Sequence, residues 1–143
     1  MFETIAIAAD HAGYDLKTAL VAWLKERALP VLDLGPANRD PVDYPDVADA
    51  LAAALGAGRA GRGVLICGTG IGVSIAANRH RGVRAALCHD GLTARLARRH
   101  NDANVLALGS RVIGIETALD CLDGFLDTPF EGGRHARRVA KLG

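Results

Sequence analysis

Hydrophobic residues gather along this chain in five short runs, at 4–9, 30–35, 64–66, 83–88 and 105–108, with little alternation against polar positions. A strand with one wet face would alternate, so these runs predict strands covered on both sides. Between them the apolar positions change to helical spacing. Leu16, Leu20, Trp23 and Leu24 fall on one face of a helix, Val47, Leu51 and Leu55 on a second, and a third opens at 73–77. Leu92, Leu96 and Ala97 share a side of the fourth, while Ile115, Ala118, Leu119, Leu122, Phe125 and Leu126 mark the fifth. Strand and helix thus alternate five times. This predicts an α/β fold, a doubly wound, Rossmann-like, five-stranded parallel sheet with helices on both faces. One domain is expected over 1–143, with 129–143 as a tail in which Gly132 and Gly133 precede a short basic helix.

The stretch 63–77 organises the rest. Val64, Leu65 and Ile66 run into Cys67, then Gly68, Gly70 and Gly72 alternate with Thr69 and Ile71 before a helix opens. Strand, glycine turn and helix form an anion site, because glycine lets backbone N–H groups approach an oxyanion. Cys67 stands at the lip of that turn, where a thiol can act as base or nucleophile. The plain alternative is a tight turn beside a small buried hydrophobe. A dinucleotide fingerprint fits poorly, since Val73 stands where its last glycine belongs and Asp90 is a weak match for its acidic residue.

Composition narrows the possibilities. The 17 basic and 16 acidic residues nearly cancel, which argues against nucleic acid as a partner despite Arg95, Arg98 and Arg99. No apolar run spans a bilayer, and no signal-peptide pattern precedes the first strand. Cys67, Cys88 and Cys121 are odd in number and widely spaced, which predicts a reduced, cytoplasmic protein. The five histidines show no metal-binding spacing, so neither metal nor cofactor is expected.

Open parallel sheets bind ligands beyond the carboxyl ends of their strands. Here those ends carry Asp10 and His11, Cys67 with its turn, His89 and Asp90, and Ser110 and Arg111. Each also has a structural reading. Asp10 and Asp90 suit helix N-caps, Cys88 and Cys121 suit the core, and His80 suits a helix end. In the tail, Arg134 and Arg138 lie four apart, so a helix would present both on one face, either as a phosphate clamp or simply as the solvated side of a C-terminal helix.

Six segments in order, at 9–14, 43–45, 67–72, 100–104, 109–111 and 131–135, closely resemble the type B ribose-5-phosphate isomerase family, which includes the galactose-6-phosphate isomerase subunits. The resemblance spans the whole chain. It implies an aldose–ketose isomerase, free of metal and cofactor, working through a cis-enediolate in the non-oxidative pentose phosphate pathway. Cys67 would be the proton-carrying base; some relatives use a glutamate at the position held here by Val73. Gly68, Thr69, Gly70, Ile71 and Gly72 would bind the enediolate, with Thr69 near the reacting oxygens. His100, helped by Asp10, would open the sugar ring. His11, Arg111, Arg134 and Arg138 would hold the phosphate, and Tyr44 and Asn101 would contact sugar hydroxyls. Relatives are homodimers or dimers of dimers whose sites lie at the subunit interface.

Two alternatives stand beside this reading. A six-carbon substrate, allose 6-phosphate or galactose 6-phosphate, would use the same chemistry. A non-catalytic phosphate- or nucleotide-binding module would need the arginines but not Cys67 and His100.

Overall fold

The computed structural model describes residues 3–143. Its elements follow the expected order: β1 (Ile5–Ala9), a 3-10 turn (His11–Gly13), α1 (Tyr14–Glu26), β2 (Val31–Asp33), α2 (Tyr44–Gly56), β3 (Arg62–Cys67), α3 (Ile71–Ala77), β4 (Ala85–Leu87), α4 (Gly91–Asn101), β5 (Val105–Gly109), α5 (Ile115–Asp127) and α6 (Arg134–Ala140). All strand pairs are parallel, in the order β2-β1-β3-β5-β4. The chain leaves β1 toward one edge and begins again on its other side with β3. The topological switch point, where such sheets open a crevice, therefore lies between β1 and β3.

Successive strand residues face opposite sides, and here both sides are apolar because both are covered. Ile5, Ile7, Val64, Ile66, Leu106 and Leu108 pack with Leu20 and Leu24 of α1 and Leu122 and Phe125 of α5. Ala6, Ala8, Leu65, Cys67, Val105 and Ala107 face Ala48 and Leu51 of α2 and Val73 and Ala77 of α3. Lys17 is buried in α1 but pairs with Asp33 at the end of β2, Nζ to Oδ1 2.8 Å. A lone ammonium there would be costly.

The edge strands are shorter than the apolar runs predicted. At the start of β4, side-chain amides take two backbone N–H groups: Arg84 N–H donates to Asn104 Oδ1 and Ala85 N–H to Asn78 Oδ1, each at 2.7 Å. Asp90 caps α4 by accepting from Thr93 N–H at 2.7 Å, and this bond holds its carboxyl below the usual range. Asp10 likewise accepts from Gly13 N–H at 3.1 Å. The capping reading of Asp90 holds for α4, whereas Asp10 caps the 3-10 turn and not α1, whose N-cap is Gly13.

Backbone contact between β5 and the 67–72 turn leaves no room at Gly109, where a Cβ would collide with the carbonyl of Thr69. Gly109→Ala is expected to cost about 1–3 kcal/mol, as overpacking does elsewhere. Urea unfolding measures this, and an unchanged midpoint would mean that the turn has slack.

Candidate active site

Three strand ends build the first half of the site. At the end of β3, Cys67 is 5% exposed and its Sγ accepts a hydrogen bond from Gly70 N–H at 3.2 Å. Gly70 has φ +77°, a left-handed conformation, and a Cβ there would lie 2.8 Å from the carbonyl carbon of Leu108. Glycine is required on both counts. Thr69 Oγ1 accepts from Ile71 N–H at 3.1 Å, which leaves its own O–H to donate outward. Tyr44, the first residue of α2, lays its ring against Gly72.

The ends of β1 and β5 close around this turn. Asp10 is 8% exposed, and its N–H donates to the Ile66 carbonyl at 3.1 Å. Exposed His11 accepts from Val42 N–H at Nδ1, 3.3 Å, so in that tautomer Nε2 carries the proton. Ser110 ties the pieces together: its N–H donates to the Cys67 carbonyl at 2.9 Å and its hydroxyl to the Ala12 carbonyl at 2.8 Å. Arg111 N–H donates to the Gly68 carbonyl at 2.9 Å, and its guanidinium lies over Gly68. Asp10, His11, Tyr44, Cys67–Gly72 and Arg111 thus gather at the carboxyl ends of β1, β3 and β5, around the switch point. Beside them lies a cleft of about 470 Å³ that Asp43 and Asp46 make unfit for a phosphate.

His100, Asn101, Arg134 and Arg138 do not join them. α4 starts above the C-terminal end of β4 and runs back for 11 residues, about 16 Å, so its last turn lies where the strands begin. Asn101 there lines a cleft with Asn78, Val83, Arg84 and Ala85. His100, Asn101 and Arg138 border a second cleft of about 270 Å³ with His135, Val139 and Leu142. One chain therefore carries two groups of candidate residues at opposite ends of its sheet.

Over residues 5–142 the sequence matches the family described as Ribose/Galactose Isomerase. The chain belongs to that family. It is 48% identical to ribose-5-phosphate isomerase B of Escherichia coli over 138 residues, covering 96% of this chain and 93% of the relative. It is equally close to D-erythrulose-4-phosphate isomerase of Pectobacterium atrosepticum, 48% over 142 residues, covering 98% and 93%. The solved structure of Clostridium thermocellum ribose-5-phosphate isomerase B matches with TM-score 0.96 at 50% identity, covering 98% of this chain and 95% of that one.

The other thiols lie in the core. Burial raises the Cys88 thiol above its ordinary range and pushes Cys121 up to about 12. Sequence reasoning left Glu131 and His135 without roles, yet the fold sets both beside His100, with the His100 and His135 rings stacked at 4.5 Å. Their separation in sequence hid the grouping. Iodoacetamide in mildly alkaline buffer is expected to alkylate Cys67 well before Cys88 or Cys121 in the folded protein. Peptide mapping reads this, and equal labelling of all three would contradict the reading of Cys67 as the reactive thiol at the glycine turn.

Proposed function

We propose that this chain is an aldose–ketose isomerase interconverting D-ribose 5-phosphate and D-ribulose 5-phosphate. The observation that carries the reading is Cys67, held at the glycine turn with Gly70 N–H on its sulfur. Deprotonating a carbon beside a carbonyl needs a positioned base and donors where charge develops. The Cys67 thiolate takes the proton from carbon 2, leaving an enediolate, and the thiol returns it to carbon 1. A proton passes from the oxygen on carbon 2 to that on carbon 1, so the sugar is neither oxidised nor reduced overall. Thr69 donates its O–H to the enediolate oxygens, and His11 and Arg111 hold the phosphate away from the reacting carbons.

Ring opening calls for a second group, and His100 is the candidate with Asn101, Arg134 and Arg138 beside it. These lie at the far end of the sheet, so we infer a site shared by two copies, each lending its His100 end to the other's Cys67 crevice. A two-fold pair makes two such sites at once. Exposed Ile71 and Ile75, one turn apart on α3 beside the crevice, suit the contact. Three unpaired thiols suit a reducing compartment such as cytoplasm, and among the described residues no helix is long and apolar enough to cross a membrane.

A four-carbon substrate is the second reading, favoured by the equal identity to the erythrulose-4-phosphate isomerase. Ribose 5-phosphate, erythrulose 4-phosphate, allose 6-phosphate and galactose 6-phosphate are therefore assayed side by side. Ribose 5-phosphate is expected to turn over fastest, and Cys67→Ala to slow it on the order of 10²–10⁴-fold with little change in substrate affinity. Faster turnover of another sugar would change the substrate. Lost affinity at unchanged kcat would remove Cys67 as the base.

A further inference from the structure

The tail lays a second imidazole on His100. The rings of His100 and His135 stack with centroids 4.5 Å apart and planes 15° from parallel. Stacking engages the ring faces, so it does not consume the in-plane nitrogens through which an imidazole exchanges protons. His100 lies half-buried in the last turn of α4, and helix ends fray, so its ring needs support from outside the helix. His135 is placed to give it. It is 7% exposed, and its N–H donates to the Gly132 carbonyl at 3.0 Å, in a turn where Gly132 and Gly133 take φ +69° and +56°. Glu131, in the loop before α6, sets Oε1 3.6 Å from His135 Nε2. Its own N–H donates to the Arg99 carbonyl at 3.1 Å, which ties the loop to the last turn of α4. The supporting ring is therefore anchored through its backbone and through its neighbour.

We propose that His135 is a positioning residue for ring opening: stacked on His100, it fixes the plane in which the His100 nitrogens meet the sugar. This rests on the ring-opening role proposed above for His100. Ring opening moves one proton and breaks one bond. His100 takes the proton from the hydroxyl on carbon 1, and the bond from carbon 1 to the ring oxygen breaks as the carbonyl forms. The proton then goes to the ring oxygen, which becomes the hydroxyl on carbon 4, so the sugar keeps all its electrons. Both oxygens are bonded to carbon 1, so one imidazole nitrogen serves both, provided that its plane is held. His135 is itself poorly suited to carry that proton. Burial, then the neighbouring His100 and Arg134, hold it below the usual imidazole range, and Glu131 faces its Nε2. A neutral His135 also puts no like charge against His100 when His100 carries the proton. Arg134 and Arg138 belong to the same helix, so a phosphate drawn to them lies against the element that carries the stack. His100, His135 and Arg138 meet at the cleft of about 270 Å³.

Two variants separate the ring from its nitrogens: His135→Phe keeps a flat ring to stack, and His135→Ala removes it. Proton NMR reads the His100 ring in each, because a stacked ring shifts the signals of its neighbour. His135→Ala is expected to move the His100 ring-proton signals, and His135→Phe to keep them shifted upfield. On ribose 5-phosphate, His135→Ala is expected to lower kcat on the order of 10–100-fold with KM little changed, while His135→Phe recovers most of the rate. Ribulose 5-phosphate has no hydroxyl placed to close a five-membered ring. Exchange of a carbon 1 hydrogen of that sugar with solvent deuterium therefore needs Cys67 and not His100, and it is expected to stay near the wild-type rate in both variants. Unmoved His100 signals in His135→Ala would overturn the stack. Moved signals with full kcat would overturn the positioning role. So would equal losses of turnover and exchange, or a His135→Phe protein no better than His135→Ala. A wild type that neither turns over ribose 5-phosphate nor exchanges the ribulose hydrogen would remove the proposed function and the positioning role with it, leaving only the stack.

Discussion

Every strand of the sheet points the same way, so each helix must carry the chain back from the end where strands finish to the end where they start. This constraint separates the chemistry. Residues that follow a strand, such as Asp10, Cys67 and Arg111, gather at one end of the sheet. Residues that close a helix, such as His100 and Asn101, are delivered to the other. A chain with this topology cannot bring both groups to one place by itself. A second copy related by a two-fold axis can, and then both ends are used twice.

Within the first group, precision comes from backbone contact rather than from side chains. Gly70 turns left-handed against Leu108, Gly109 meets the Thr69 carbonyl, and Gly13 sits against Ile66, where a Cβ would fall 2.7 Å from Cγ2. The turn is therefore clamped between β1 and β5, and Ser110 bridges both loops by hydrogen bonds. A base that must reach one proton on a small sugar benefits from such rigidity, since misplacement near an ångström is costly in rate. The second group hangs on the last turn of α4 and on α6, which follows the left-handed pair Gly132 and Gly133.

Much of the architecture was legible because burial writes itself into the pattern. Strands covered on both faces show as unbroken apolar runs, and α1 and α5 show their stripes. The capping role of Asp90 could be read from residue type and position alone. Boundaries were less legible. β2 and β4 lie at the sheet edges and both are shorter than their apolar runs; at the start of β4 the side-chain amides of Asn104 and Asn78 take the N–H groups of Arg84 and Ala85. α2 starts at Tyr44, ahead of Val47 where its apolar stripe begins, because Pro45 suits the first turn of a helix. The Cys67 turn was readable as a local motif. The division of the site was not readable from pattern, since it depends on which way α4 runs. Nor was the His100–Glu131–His135 grouping, which arises only when the tail folds back onto α4.

The central claim is that the proton-carrying thiol and the ring-opening histidine of each working site come from different chains. It is tested most directly by pairing Cys67→Ala with His100→Asn, each carrying its own affinity tag, and purifying the mixed pairs. The account predicts that both parents are nearly silent on ribose 5-phosphate while the mixed pair recovers about half of wild-type activity, one intact site of two. A mixed pair as silent as its parents would contradict it, and would place Cys67 and His100 at work within a single chain.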